Sequence, residues 1–218
     1  MDKQGGMEKE RGVERLIFFT DAVVAIAITL LILPLVEIVT TDANKATPVP
    51  VGQFLADNVS QFFAFALSFA IIARFWMANH EVLLNTVRAT AALMWLDIAW
   101  VFTIVVLPLP TEITAVYPRS LLTVSIYIGT GFVSTLLLTA ISYYLHRHPE
   151  MQAKGAPISG TQLWGIGSTA GGFLVALLLA WIFPVINYYS LLVLLLTFPL
   201  DAIMKPRILR REAARERN

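Results

Sequence analysis

The chain has 218 residues, 57% of them hydrophobic and only 14% charged, with a mean hydropathy of +0.70. A soluble domain of this size carries about 25% charged residues, so a water-soluble fold is excluded, and the absence of cysteine excludes disulfides and thiolate metal sites. The apolar residues come in runs of about 20, the length a helix needs to cross about 30 Å of hydrocarbon.

The first fifteen residues mix both signs of charge and lead into an apolar run too long for a signal-peptide core, so no cleavable leader is expected. The expected fold is all-α: one polytopic membrane domain over 1–218, with six transmembrane helices at roughly 16–36, 53–78, 89–109, 120–145, 162–183 and 185–204. The short alternating segments of a β-barrel are missing, and helices are the other way to satisfy backbone groups in lipid. Pro34, Pro108, Pro110 and Pro199 fall near the expected span ends, where a lost hydrogen bond matters least, and Pro184 marks the turn between the last two spans.

The basic residues set the orientation. With six spans, 14 of the 16 Lys and Arg fall on one side, including Arg15, Arg74, Arg88, Arg147 and the tail from Lys205 onward, and only Lys45 and Arg119 fall on the other. That imbalance marks the cytoplasmic face and places both termini there. Glu212 and Glu216 dilute the basic tail, which reads as a topology determinant and not as a nucleic-acid patch. The sequon at Asn58-Val59-Ser60 sits at a membrane boundary and reads as chance.

Polar groups inside the spans are few: Asp21 in span one, Arg74, Trp76, Asn79 and His80 towards the end of span two, Asp97 in span three and Asp201 at the end of span six. An ionisable group at bilayer depth costs at least about 2.5–3.5 kcal/mol on insertion scales, so each is a candidate functional or packing site. Arg15, Asp21, Trp76, Asn79, His80 and Asp97 are expected in the inner half of the membrane. There the carboxylates would accept from Trp76, His80 or Arg15, with Asn79 as a bridge. Such a network serves either as interhelical hydrogen bonding alone or as part of gating or proton transfer.

No second ligand stands at helical spacing from His80, so no metal is expected. His146 and His148 read as solvated loop residues. Gly165, Gly167, Gly171 and Gly172 lie inside an apolar helix without a preceding strand, and with Gly129 and Gly131 they read as close-packing positions rather than a phosphate loop. No Ser-His-Asp set, aspartic dyad or His-Glu-x-x-His motif is present. No enzyme and no cofactor are expected.

At 100° per residue Ile26, Leu30 and Leu33 form one stripe of span one, with Thr29 beside it and Asp21 about 140° away from Ile26. On the residues alone that stripe faces either lipid or a pore. The segment from Arg15 through Glu37 resembles the signature of the lysosomal-type potassium channels, the transmembrane protein 175 family. In that family the first helix carries Arg-x-x-x-Phe-Ser-Asp-Ala before a small, Ile- and Thr-containing run. Arg15, Phe19, Asp21 and Ala22 match, Thr20 stands for the serine, and Trp76–His80 is similar to the second-helix pattern.

The resemblance implies a homotetramer of single six-span repeats in the plasma membrane of a prokaryote, with four copies of span one around a pore for potassium ions. It implies Ile26 as the narrow constriction, Leu30 and Leu33 as further apolar rings, Thr29 as the hydroxyl of potassium preference, and Arg15, Thr20, Asp21, Trp76, Asn79 and His80 as packing and gating residues outside the lumen. No Thr-Val-Gly-Tyr-Gly loop is present, so weak-to-moderate selectivity and a gate that closes by dewetting are expected. The competing expectation is a proton- or ion-coupled transporter with Asp21 and Asp97 as carriers, and a membrane scaffold without transport is a third.

Overall fold

The computed structural model describes residues 2–45, 47–117, 120–153, 158–183 and Ser190. The described residues form α-helices joined by short turns: α1 (Asp2–Leu30), α2 (Leu33–Ala43), α3 (Val51–Asp57), α4 (Val59–Leu84), α5 (Ala91–Val106), α6 (Pro108–Val116), α7 (Leu121–Arg147) and α8 (Gly160–Ile182). Among them, five helical runs are long and apolar enough to cross a membrane: Gly12–Ala43, Val59–Leu84, Ala91–Thr114, Leu121–Arg147 and Gly160–Ile182. The expected sixth span, 185–204, with Pro184, Pro199, Asp201 and the basic tail, lies outside the described residues, as do Arg119 and Lys154.

Two of the runs are interrupted and a third is cut short at its start, and the cause is local each time. Pro34 brings no N–H for the Leu30 carbonyl, so the ladder tightens to Leu31 N→Ile28 O and Ile32 N→Thr29 O and resumes with Val36 N→Ile32 O. The first run therefore continues past residue 36 to Ala43, with Pro34 inside it and not at its end. Pro108 and Pro110 break α5 from α6 in the same way, Leu107 being the joint. Asn58 parts α3 from α4, its side-chain amide donating to the Phe54 carbonyl at 2.8 Å, so that helix extends from 59 to 84 where 53–78 was expected.

Three helix starts are capped by short polar side chains. Thr90 accepts from Leu93 N at the start of α5, and Ser120 and Ser159 each close a reciprocal capping box at α7 and α8. One end of the bundle is tied by its loops: Thr86 and Gln152 form an antiparallel bridge, with Val87 N→Met151 O at 2.8 Å and Ala153 N→Asn85 O at 2.9 Å. This brings the ends of α4 and α7 and the starts of α5 and α8, with Arg88 and Arg147, to one side. The two histidines expected in a loop, His146 in the last turn of α7 and His148 just after it, are partnered rather than simply solvated. His146 Nδ1 lies 3.0 Å from the Ile158 carbonyl. His148 meets Glu150 at 2.9 Å, a hydrogen bond that holds the Glu150 carboxyl below the usual range.

The core runs along α7, which packs against α8, α5, α6 and α4. Ser68 of α4 hydrogen-bonds both Thr111 of α6 (2.9 Å) and Tyr127 of α7 (3.0 Å). At Gly131 a side chain of α8 fills the space that a Cβ on α7 would take. A Cβ there would stand 2.5 Å from Cε1 of Phe173, which is itself buried and packed at 5.7 Å on Phe75. Gly131→Ala is accordingly expected to lower the melting temperature of the purified protein, an overpacking cost of about 1–3 kcal/mol. An unchanged melting curve would contradict the close seat. Gly129 and Gly171 have nothing within 4 Å of such a Cβ, so close packing explains Gly131 and not those two.

Candidate functional site

The first helix has two clearly different sides. Val13, Leu16, Ile17, Thr20, Val24, Ala27 and Leu31 are buried, a 3–4 residue repeat that faces α4 and α5. On the opposite side Ile26, Leu30 and Leu33 are 59%, 41% and 55% exposed. Arg15, Ala22, Ala25 and Thr29 are exposed as well. Thr29 donates to the Ile26 carbonyl at 2.8 Å, which satisfies its hydroxyl in an apolar setting without a second helix.

The buried side carries the polar groups. Asp97 of α5 has no exposed surface; it accepts from Thr20 Oγ1 at 2.5 Å and from Asn79 Nδ2 at 2.9 Å. Asp21, half-buried on the flank of α1, accepts on one oxygen from Trp76 Nε1 at 2.7 Å and faces His80 Nδ1 at 3.1 Å. Trp76 and His80 are one helical turn apart on α4, with ring centroids 5.3 Å apart, so the i, i+4 spacing makes one jaw for Asp21. Asn79 lies between them in sequence and turns to the other side of α4, where Asp97 stands. The two neighbouring residues Thr20 and Asp21 thus bind different partners, and together they clasp α1 to α4 and α5.

Six of the seven residues expected in this network are brought together. Arg15 is the exception: it is exposed on the stripe side of α1 and makes no hydrogen bond or ion pair among the described residues. Among those residues, no three His, Asp or Glu side chains converge as a metal site. The sequence reading named Ala22 only as a motif match and passed over Ala25; both are exposed small residues on the same side as Ile26. The signal was available, since small residues on an otherwise bulky helix face allow close approach of another helix. It also missed the exposed Glu37, which continues the stripe beyond the Pro34 break.

Fold and site together define a polytopic α-helical membrane protein whose first helix is held from one side by a buried polar clasp and presents an apolar face on the other. Residues 15–108 match the model of the family described as endosomal/lysosomal potassium channel TMEM175. The stretch contains the whole clasp and the whole stripe, from Arg15 to Asp97. A curated potassium channel of Streptomyces collinus is 33% identical over 101 residues, 46% of this chain and 47% of that protein; the match thus spans about half the length of that relative. The crystal structure of a lysosomal potassium-selective channel TMEM175 homolog from Chamaesiphon minutus matches with a TM-score of 0.65, covering 91% of this chain and 99% of that one at 22% identity. At that identity the likeness establishes the shared fold. The family is one of channels and not of enzymes.

Proposed function

We propose that the chain forms a potassium-permeable cation channel in the plasma membrane of a prokaryote, as a homotetramer with the first helix of each subunit lining the pore. Each subunit would cross the bilayer six times, with both ends in the cytoplasm, the sixth crossing being 185–204. The observation that carries this reading is the exposure of Ile26 and Leu30 on α1, opposite the clasp, and of Leu33 at the start of α2. The names of the two relatives, both potassium channels, support the choice of ion.

In the tetramer Ile26 would form the narrowest ring and Leu30 and Leu33 two further apolar rings. Ala22 and Ala25 would let the four helices approach, and Thr29 would contribute to selectivity. Thr20, Asp21, Trp76, Asn79, His80 and Asp97 would fix the rotation of α1 from outside the lumen, whereas Arg15, on the stripe side, would act between copies. An isoleucine ring gives potassium no oxygen to coordinate, so discrimination rests on hydration: a narrow apolar ring admits the ion that sheds water more readily. The selectivity is therefore weak to moderate, and the ring closes by expelling water.

The test is the purified full-length protein in liposomes and planar bilayers. Unitary current steps with potassium preferred over sodium are expected. Slow saturable flux without unitary steps, abolished by Asp21→Asn, would favour the ion-coupled transporter, and no flux of either kind would leave a scaffold.

A further inference from the structure

Away from the clasp, a cleft of about 550 Å³ opens between α4, α7 and α8, within the roughly 300–1,000 Å³ of small-molecule sites. Its walls are mostly small or apolar, Ala70, Ala73, Met77 and Ile166 among them, and among the described residues its only charged lining residues are Arg74 and Glu81. Both are exposed on α4, seven residues apart, hence on one face and about 10 Å apart along the axis. Glu81 Oε1 accepts from Gln162 Nε2 at 2.9 Å, which leaves the second carboxylate oxygen for another donor and sets Glu81 level with the first turn of α8.

The aromatic residues give the depth. Trp95, Tyr143 and Trp164 are exposed on three different helices, each four residues from the helix terminus at the tied end of the bundle. Amphipathic rings at one level mark the membrane–water interface. α4 ends at the tied side with Leu84, so Glu81 lies nearer the water than Arg74 does. From water inwards the cleft therefore offers an anion, then a cation, then an apolar wall.

We propose that this cleft binds the headgroup of an aminophospholipid, its ammonium on Glu81 and its phosphate on Arg74, with an acyl chain along Ala70 and Ala73. The order of charges matches the order of ammonium, phosphate and acyl chain in such a lipid. Glu81 repels a purely anionic headgroup, and a choline headgroup has no N–H to donate to the carboxylate. A guanidinium takes phosphate in a bidentate manner that an ammonium cannot reproduce. The proposal is independent of the pore reading, since no residue of α1 takes part.

The experiment is native mass spectrometry of the purified full-length protein with phosphatidylethanolamine, phosphatidylcholine and phosphatidylglycerol offered at equal concentration. Phosphatidylethanolamine should be retained at least about fivefold better than either of the others, equivalent to about 1 kcal/mol. Arg74→Gln should bring all three to one low level. Glu81→Gln, which still accepts from Gln162, should reduce phosphatidylethanolamine to the level of phosphatidylcholine. The proposal is overturned if phosphatidylglycerol binds the unaltered protein as well as phosphatidylethanolamine does, or if Glu81→Gln leaves the preference intact. It is equally overturned if Ala73→Cys, the sole thiol in such a chain, is cross-linked to a second copy in a yield that phosphatidylethanolamine does not reduce, because a protein helix then fills the cleft.

Discussion

Asp97→Ala is expected to be the most destabilising single substitution in the clasp. It removes the acceptor of both Thr20 and Asn79 at a position with no exposed surface, leaving a hydroxyl and an amide unpaired. Each unpaired buried polar group costs about 1–3 kcal/mol, although hydrogen bonds in membrane proteins average near 0.6 kcal/mol because the unfolded state in lipid also finds partners. A combined loss of about 2–4 kcal/mol follows, read as a fall of about 5–15 °C in the melting temperature for a chain of this size. Asp97→Asn, which keeps one carbonyl acceptor, should lose less. A double-mutant cycle with Thr20→Val isolates the pair: if the two effects simply add, the 2.5 Å contact contributes nothing of its own.

The second large effect concerns conduction. Ile26→Asn places an amide in the proposed narrowest ring. Water then wets the constriction, and the barrier that depends on dewetting is lost. Unitary conductance or open probability should rise several-fold in bilayer recordings, and the preference for potassium over sodium should fall. Because Ile26 is 59% exposed in the protomer and lies on the side away from the core, the same substitution should leave the melting temperature of the protomer nearly unchanged. Unaltered currents together with unaltered stability would place Ile26 against acyl chains and remove the pore assignment. Asp97→Ala and Ile26→Asn therefore separate cleanly: one acts on the fold and the other on the ion.

Much of the site was legible in the sequence because few residues compete for the role. With Asp21, Asp97, Trp76, Asn79 and His80 among the scarce polar groups of the first three spans, burial in lipid leaves them each other as partners. The angle between Asp21 and Ile26 was sufficient to put clasp and stripe on opposite sides. Arg15 illustrates the opposite lesson. Its charge made it an attractive partner for a carboxylate, but six residues at 100° put it roughly 120° from Asp21 and almost in line with Ile26; spacing outweighed charge. Helix interruptions were misplaced because proline was assigned to span ends, whereas Pro34 and Pro108 sit within runs that resume on the far side. Asn58 gave no hydropathy signal for the break it makes between α3 and α4. Tertiary proximity of loops, such as the Thr86–Gln152 bridge, has no periodicity to read.

The clasp has a mechanical consequence. Thr20 and Asp21 act as a key in a keyway: they set the azimuth of α1, and everything further along the helix inherits that setting. Deleting one residue among Val23, Val24 and Ala25 would leave the key seated but swing Ile26 and Leu30 by roughly 100°, turning the apolar ridge away from any symmetry axis. The same deletion placed after the Pro34 break, where the backbone ladder has already been re-cut, would spare Ile26 and Leu30 and re-aim only the outer segment. Torque is thus transmitted from residue 20 to residue 30 and is lost at the joint beyond it.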